Sequence, residues 1–109
     1  LAAVTAVSGS GPAYVFYFIE ALERAAVELG IAPGPARQLA LATFLGAAKL
    51  ARARGEDPAV LRAQVTSKGG TTERALGEME AAGLKARFVE AVKAARERSR
   101  ELGEEFGKG

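Results

Sequence analysis

Two short polar segments carry residue types whose spacing could do chemistry. The first is Thr66-Ser67-Lys68-Gly69-Gly70-Thr71-Thr72, joined to a helix expected to begin near Thr71. The first backbone N–H groups of a helix lack intrahelical partners and point out of its end, where the helix dipole adds partial positive charge. Two glycines let the backbone approach a ligand closely, and the hydroxyls of Ser67 and Thr72 add donors without adding charge. That combination suits a small anion. A Thr N-cap behind a flexible linker fits the same residues, and the local physics leaves both readings open. The second segment is Ser8-Gly9-Ser10-Gly11-Pro12-Ala13-Tyr14. It has a G-x-G but no third Gly, no preceding βαβ strand and no P-loop Lys, so neither nucleotide fingerprint fits. A tight turn with a Ser or Gly N-cap is the expectation there.

Composition removes much of the remaining chemistry. The 109 residues include no His and no Cys, which excludes disulfides, Cys/His zinc sites, His general bases and nucleophiles with a His partner. No metal site is expected, and the sole Asp is Asp57. Fifteen basic against thirteen acidic residues leave a net charge of +2, with 6% aromatics. That balance argues against a nucleic-acid partner. No stretch reads as the roughly 20 apolar residues of a membrane span, and no basic-then-apolar leader is visible. The expectation is a cytoplasmic protein with no membrane partner. The chain opens at Leu1 and its only Met is Met79, so it reads as a piece of something longer.

The elements that must position these segments are helical. Ala, Leu, Glu and Arg dominate, and β-branched alternation is confined to residues 2–7. The fold class predicted is all-α, a bundle of about five helices. Pro12 opens a helix closed by Gly30, Pro35 opens one closed by Gly55, and Asp57-Pro58 caps and starts a short one ending near Thr66. A fourth helix runs from about Thr71 to Gly83 and a fifth from about Leu84 to Gly103, so the domain spans residues 1–103. Residues 104–109 read as a frayed tail.

Hydrophobic patterning raises the question of what covers these helices. In the first, Val15, Phe18, Ile19, Leu22, Ala26 and Leu29 keep one apolar stripe, but residues 13–19 are apolar almost all round. Residues 39–48 are apolar around the full circumference except at Thr43. Either a monomeric bundle wraps this helix or a partner chain covers it. Gly46 favours the partner, because Gly inside a helix costs about 1 kcal/mol against Ala and usually marks another backbone close by. The fifth helix keeps Phe88, Val92, Ala95 and Leu102 on one side, with alternating charges elsewhere that read as a solvated face.

The residues Pro58-x-x-Leu61-x-x-x-Val65-Thr66-Ser67-x-Gly69-Gly70-x-Thr72-x-x-Ala75-Leu76-x-x-Met79-Glu80 resemble the signature of pyrroline-5-carboxylate reductase. The stretches Val7-Ser8-Gly9-Ser10-Gly11-Pro12-Ala13-Tyr14 and Leu45-Gly46-Ala47-Ala48-Lys49 resemble the same family, in the same order and spacing. The resemblance implies a C-terminal helical domain that interlocks with a second copy in a homodimer, with higher oligomers of dimers within reach. It implies hydride transfer from NADP or NAD, as NAD(P)H, to the C=N carbon of a cyclic imine carboxylate, giving proline. The N-terminal dinucleotide-binding domain that would hold most of the cofactor is absent from these residues, so the segment alone is expected to be inactive.

The resemblance further implies that Ser67 and the backbone at Gly70, Thr71 and Thr72 hold the substrate carboxylate. Thr72 would be the catalytic residue, with its hydroxyl near the ring nitrogen. The proton donor stays open between solvent and a Thr relay. Lys68 departs from the family, which commonly has Pro there, and this puts loop rigidity in doubt. A rival reading is an all-helical dimerisation or adaptor domain of a different reductase, with the glycine loop only a hinge.

Overall fold

The computed structural model describes residues 1–107. Helices account for its regular structure: α1 (Ala2–Val4) runs into a π-helical turn (Thr5–Gly9), followed by α2 (Gly11–Glu28), α3 (Pro33–Arg54), α4 (Pro58–Gln64), α5 (Thr71–Ala81) and α6 (Leu84–Gly107). The five expected helices are present, and no strand occurs among the described residues. Residues 2–9 are helical as well, although their alternation carried no helical signal.

The described chain divides into two compact units, one of residues 1–14 and 71–107, the other of residues 15–70. In the first, α6 packs on α1, on the π-helical turn and on α5. Ala6 is buried there, the Tyr14 hydroxyl donates to the Ala6 carbonyl at 2.7 Å, and the Tyr14 and Phe88 rings meet edge-to-face at 5.6 Å. The expected α6 stripe is present, since Phe88, Val92, Ala95 and Leu102 are all half-buried. On its other faces Arg100 pairs with Glu97 and Glu104, and Arg98 with Glu101 and Glu105. The Arg100 hydrogen bond holds the Glu97 carboxyl below its ordinary pKa. Two of these pairs, Arg100–Glu104 and Arg98–Glu105, reach across Gly103. That bracing corrects the expected end of the helix: α6 continues to Gly107, and residues 104–107 are not a separate tail. Residues 108–109 lie outside the described residues.

In the second unit the Arg37 guanidinium forks onto the Glu23 carboxylate at 3.1 and 3.2 Å, tying α3 to α2. Beside it Ala36 and Ala40, one turn apart on α3, are 0% and 1% exposed. Pro33 starts α3, and Gly55, at φ 66°, ends it by donating to the Ala51 carbonyl at 3.0 Å. Asp57 then caps α4, its carboxylate accepting from the Ala59 N–H at 2.9 Å with Pro58 in the first turn. An open groove of about 460 Å³ lies between α3 and α4, lined by Phe44, Ala48, Leu50, Leu61 and Val65 among others. Its walls are apolar apart from Arg62, so it offers a packing surface and no chemistry.

Large apolar side chains stay uncovered by the chain itself. Leu39 is 54% exposed, Leu45 57% and Phe16 67%, and among the described residues no large side chain is fully buried. The monomeric bundle wrapped around α3 is therefore not what the chain forms. Nor does the chain bring a backbone up to Gly46, because a Cβ there would meet nothing within 4 Å. One composition-level expectation also needs correcting. The π-helical turn joins α1 to α2, so residues Ala2–Glu28 form a helical run of 27 residues, long and apolar enough to cross a membrane by length and composition. The sequence had separated the two parts at Ser8-Gly9-Ser10-Gly11-Pro12.

Two cap substitutions follow from this geometry. Gly55→Ala places a Cβ in the left-handed region and should lower stability by about 1 kcal/mol. Asp57→Ala removes the α4 cap and should cost about 1 kcal/mol. Denaturant melts at one fixed protein concentration are the check, since any self-association enters the apparent stability. Parent-like midpoints for both variants would remove the caps from the account.

Candidate functional site

The segment between α4 and α5 is built by local hydrogen bonds. The Thr66 hydroxyl donates back to the Arg62 carbonyl, closing α4, so Thr66 takes no outward role. The Gly70 N–H donates to the Ser67 carbonyl at 3.1 Å, and Gly69 sits at φ 76°. No non-Gly residue among the described residues has positive φ, so residues 67–70 form a type II turn with Lys68 at its first corner and Gly69 at its second, where positive φ calls for Gly. The flexible linker is thus a defined turn. Pro is favoured at the first corner of such a turn, and the doubt that Lys68 raised is answered: the turn closes without it.

Thr71 is the first residue of α5, which makes Gly70 the residue before the helix and moves both threonines inside it. The alternative of a Thr N-cap is corrected on that ground. The hydroxyls of Ser67, Thr71 and Thr72 make no hydrogen bond among the described residues, and all three residues are exposed. Orphan N–H groups belong to the first turn of every α-helix, here those of Thr71 and Thr72, and Glu73 is the acidic residue of that turn. Gly70 differs from its neighbours, because its N–H already serves the turn. A Cβ there would lie 3.2 Å from the Ser67 carbonyl oxygen and 3.4 Å from its Cβ. Gly70 is needed for the closeness of the turn, whatever else it does.

The start of α5 offers the amides of Thr71 and Thr72 and the positive end of its dipole, and Thr71 and Thr72 are themselves exposed. The arrangement can bind a carboxylate or another small anion, with no titrating acid or base of its own near neutral pH. The turn type was legible in principle from Gly69 at the second corner. The use of the Gly70 N–H was not, since it depends on the closure itself.

The other candidate segment does not form a loop. The Ser10 N–H donates to the Thr5 carbonyl at 2.8 Å, the Ser8 hydroxyl to the Val4 carbonyl at 3.0 Å, and the Ala13 N–H to the Ser10 carbonyl at 3.1 Å. The tight turn expected there is replaced by the π-helical turn, whose donors serve the chain itself. Tyr14 was singled out only as part of a motif. Its structural part, the hydroxyl anchor on Ala6, needed the tertiary structure to be seen.

Comparison with known proteins agrees with this geometry. The family described as pyrroline-5-carboxylate reductase dimerisation matches residues 1–102. A pyrroline-5-carboxylate reductase of Corynebacterium melassecola is 48% identical over 101 residues, covering 93% of this chain and 37% of its own length. One from Pseudomonas aeruginosa is 48% identical over 105 residues, covering 96% and 38%. Among solved structures, the Plasmodium falciparum pyrroline carboxylate reductase with NADP bound superposes with a TM-score of 0.90 at 34% identity, over 94% of this chain and 39% of that one. The Coxiella burnetii reductase gives 0.89 at 44% identity, over 93% and 37%. This chain therefore spans between a third and two fifths of the length of these relatives. With the family description matching nearly its whole length, the chain belongs to the pyrroline-5-carboxylate reductase dimerisation family.

Proposed function

We propose that this chain is the dimerisation and substrate-binding part of a cytoplasmic reductase that converts 1-pyrroline-5-carboxylate to proline. The observation that carries the reading is the free amide end of α5 behind the Ser67–Gly70 turn, in a chain of this family. The substrate carboxylate sits on the Ser67 hydroxyl and the amides of Thr71 and Thr72. Gly70 keeps the turn close enough for this, and its own N–H stays on Ser67. The Thr72 hydroxyl then lies toward the ring nitrogen, where it holds the imine in register as charge develops on the amine.

The cofactor is NADP or NAD, and it supplies the hydride. The residues present do not form its crevice, since the described chain has no parallel sheet and the Gly9/Gly11 pair lies in a helical turn. The cofactor is held mainly by residues outside this chain. Two copies associate through the uncovered apolar faces of α2 and α3, and oligomers of dimers build on that contact. The membrane-length run Ala2–Glu28 is on this reading a surface for protein and not for lipid, which the dimerisation family supports.

Sedimentation at micromolar concentration should give a species of twice 11.3 kDa, and a single 11.3 kDa species would remove the dimer. Gly46→Leu is the sharper arm. Nothing in the chain lies within 4 Å of a Cβ at Gly46, so the variant should fold and yet associate more weakly if another chain crosses there.

Calorimetric titration of NADPH and NADH into the isolated chain should show no saturable heat. A well-defined micromolar affinity would place cofactor residues in this segment and overturn the division of labour.

Thr72→Val keeps shape and deletes the hydroxyl. Thr72 lies inside α5 and caps nothing, so the melting midpoint should change little. In the whole reductase, losing a hydrogen bond to a charged group worth about 1.5–3 kcal/mol should lower kcat/KM roughly 10- to 150-fold. Parent-like kcat/KM would return the turn to a purely structural part.

A further inference from the structure

The direction in which α4 leaves α3 is not set by apolar packing alone, because the groove of about 460 Å³ stands open between their apolar sides. A polar cluster ties the two helix ends instead. The Arg54 guanidinium donates from Nε to Glu56 Oε1 at 2.7 Å and from Nη2 to Gln64 Oε1 at 3.3 Å, and the Gln64 amide donates from Nε2 to Glu56 Oε2 at 3.2 Å. Each of the three side chains meets the other two. Arg54 is the last residue of α3 and Gln64 the last of α4, so the Gln64 amide is the member that brings the end of α4 to the Arg54–Glu56 pair. An isolated exposed ion pair contributes little, but a network with charge-assisted hydrogen bonds holds geometry better.

Gln64 also stands directly before the turn. The Val65 N–H donates to the Arg62 carbonyl at 3.3 Å, the Thr66 N–H to the Ala63 carbonyl at 3.2 Å, and the Thr66 hydroxyl to the Arg62 carbonyl. Ser67 therefore follows a stretch bonded back onto the last turn of α4, and all these residues lie in one compact unit. We propose that Gln64 is a positioning residue for the reaction: by clasping the Arg54–Glu56 pair it fixes the end of α4 and thereby sets where the Ser67 hydroxyl stands. It touches neither substrate nor cofactor. The proposal rests on the reading above in which Ser67 holds the substrate carboxylate, and adds to it the residue that aims Ser67.

The test uses the whole reductase, with kcat and KM for the imine carboxylate and a melting midpoint measured for each variant. Gln64→Met removes the amide and leaves Arg54 and Glu56 paired with each other, so the midpoint should stay close to the parent's. KM should rise about 3- to 5-fold, the upper end of what an exposed polar cluster supplies, with kcat unchanged. Gln64→Glu alone sets two carboxylates side by side and should raise KM at least as much. Combined with Glu56→Gln it exchanges carboxylate and amide, every hydrogen bond of the cluster can form again with the roles reversed, and KM should return to the parent value. In a Ser67→Ala background, Gln64→Met should add nothing, since residues acting through one another are not additive. A parent-like KM for Gln64→Met would overturn the proposal, as would failure of the exchanged pair to restore KM, or a full additional loss on top of Ser67→Ala. Ser67→Ala also keeps the two ideas apart. If it is impaired while Gln64→Met is parent-like, the positioning part alone is discarded, whereas a parent-like Ser67→Ala discards the carboxylate contact at Ser67 and the positioning with it.

Discussion

The structure depends on a shortage of interior volume. Among its described residues only Ala6, Ala36 and Ala40 are buried apolar side chains, and none of the large ones is fully covered. In proteins most helical stability comes from burying an apolar face. A chain that leaves Leu39, Leu41, Leu45 and Phe16 about half exposed or more has helices whose covering must come from elsewhere. Large apolar side chains exposed in this number on α2 and α3 fit helices that another chain covers. The family to which the chain belongs is described by its dimerisation, and the open α3–α4 groove and the vacant space at Gly46 are what such a chain looks like by itself.

Against that background the turn before α5 stands out for needing no core. Its geometry comes from hydrogen bonds within a few residues: Thr66 on Arg62, Gly70 on Ser67, and the positive φ of Gly69. Short-range closure of this sort is insensitive to how the apolar faces are finally covered. Its donors are hydroxyls and backbone amides, so a chain lacking His and Cys can still present a charge-complementary end to an anion.

The two units are held by different means. Around Ala6 the contacts are a carbonyl taken by the Tyr14 hydroxyl, an aromatic edge from Phe88 and the half-buried stripe of α6. Between α2 and α3 the visible tie is the fork of Arg37 on Glu23 beside two alanines. Alanines let backbones approach but bury little area, so neither contact replaces the cover that the leucines lack.

What the sequence determined by itself was whatever depends on near neighbours. The Pro and Gly punctuation located the helices, because caps and left-handed closures are decided within one turn: Asp57 before Pro58 and Gly55 after Arg54 stand where they were read. The α6 stripe and the all-α class were legible from 3.6-residue periodicity. Residues 67–72 could be read from residue type either as an anion-binding segment or as a capped linker, and the family was legible from three separated motifs in order and spacing. Three outcomes lay beyond that reading, one decided by tertiary packing and two by local contacts that exist only once the segment has folded. Residues 2–9 became helical despite their alternation, since packing on α6 and the Tyr14 hydroxyl outweigh a weak strand preference. The α6 helix passed Gly103 because ion pairs span it, and Gly103 takes no left-handed conformation there. The Gly70 amide went to Ser67 instead of pointing outward, because a hydrogen bond that closes a turn exists only once the turn has formed.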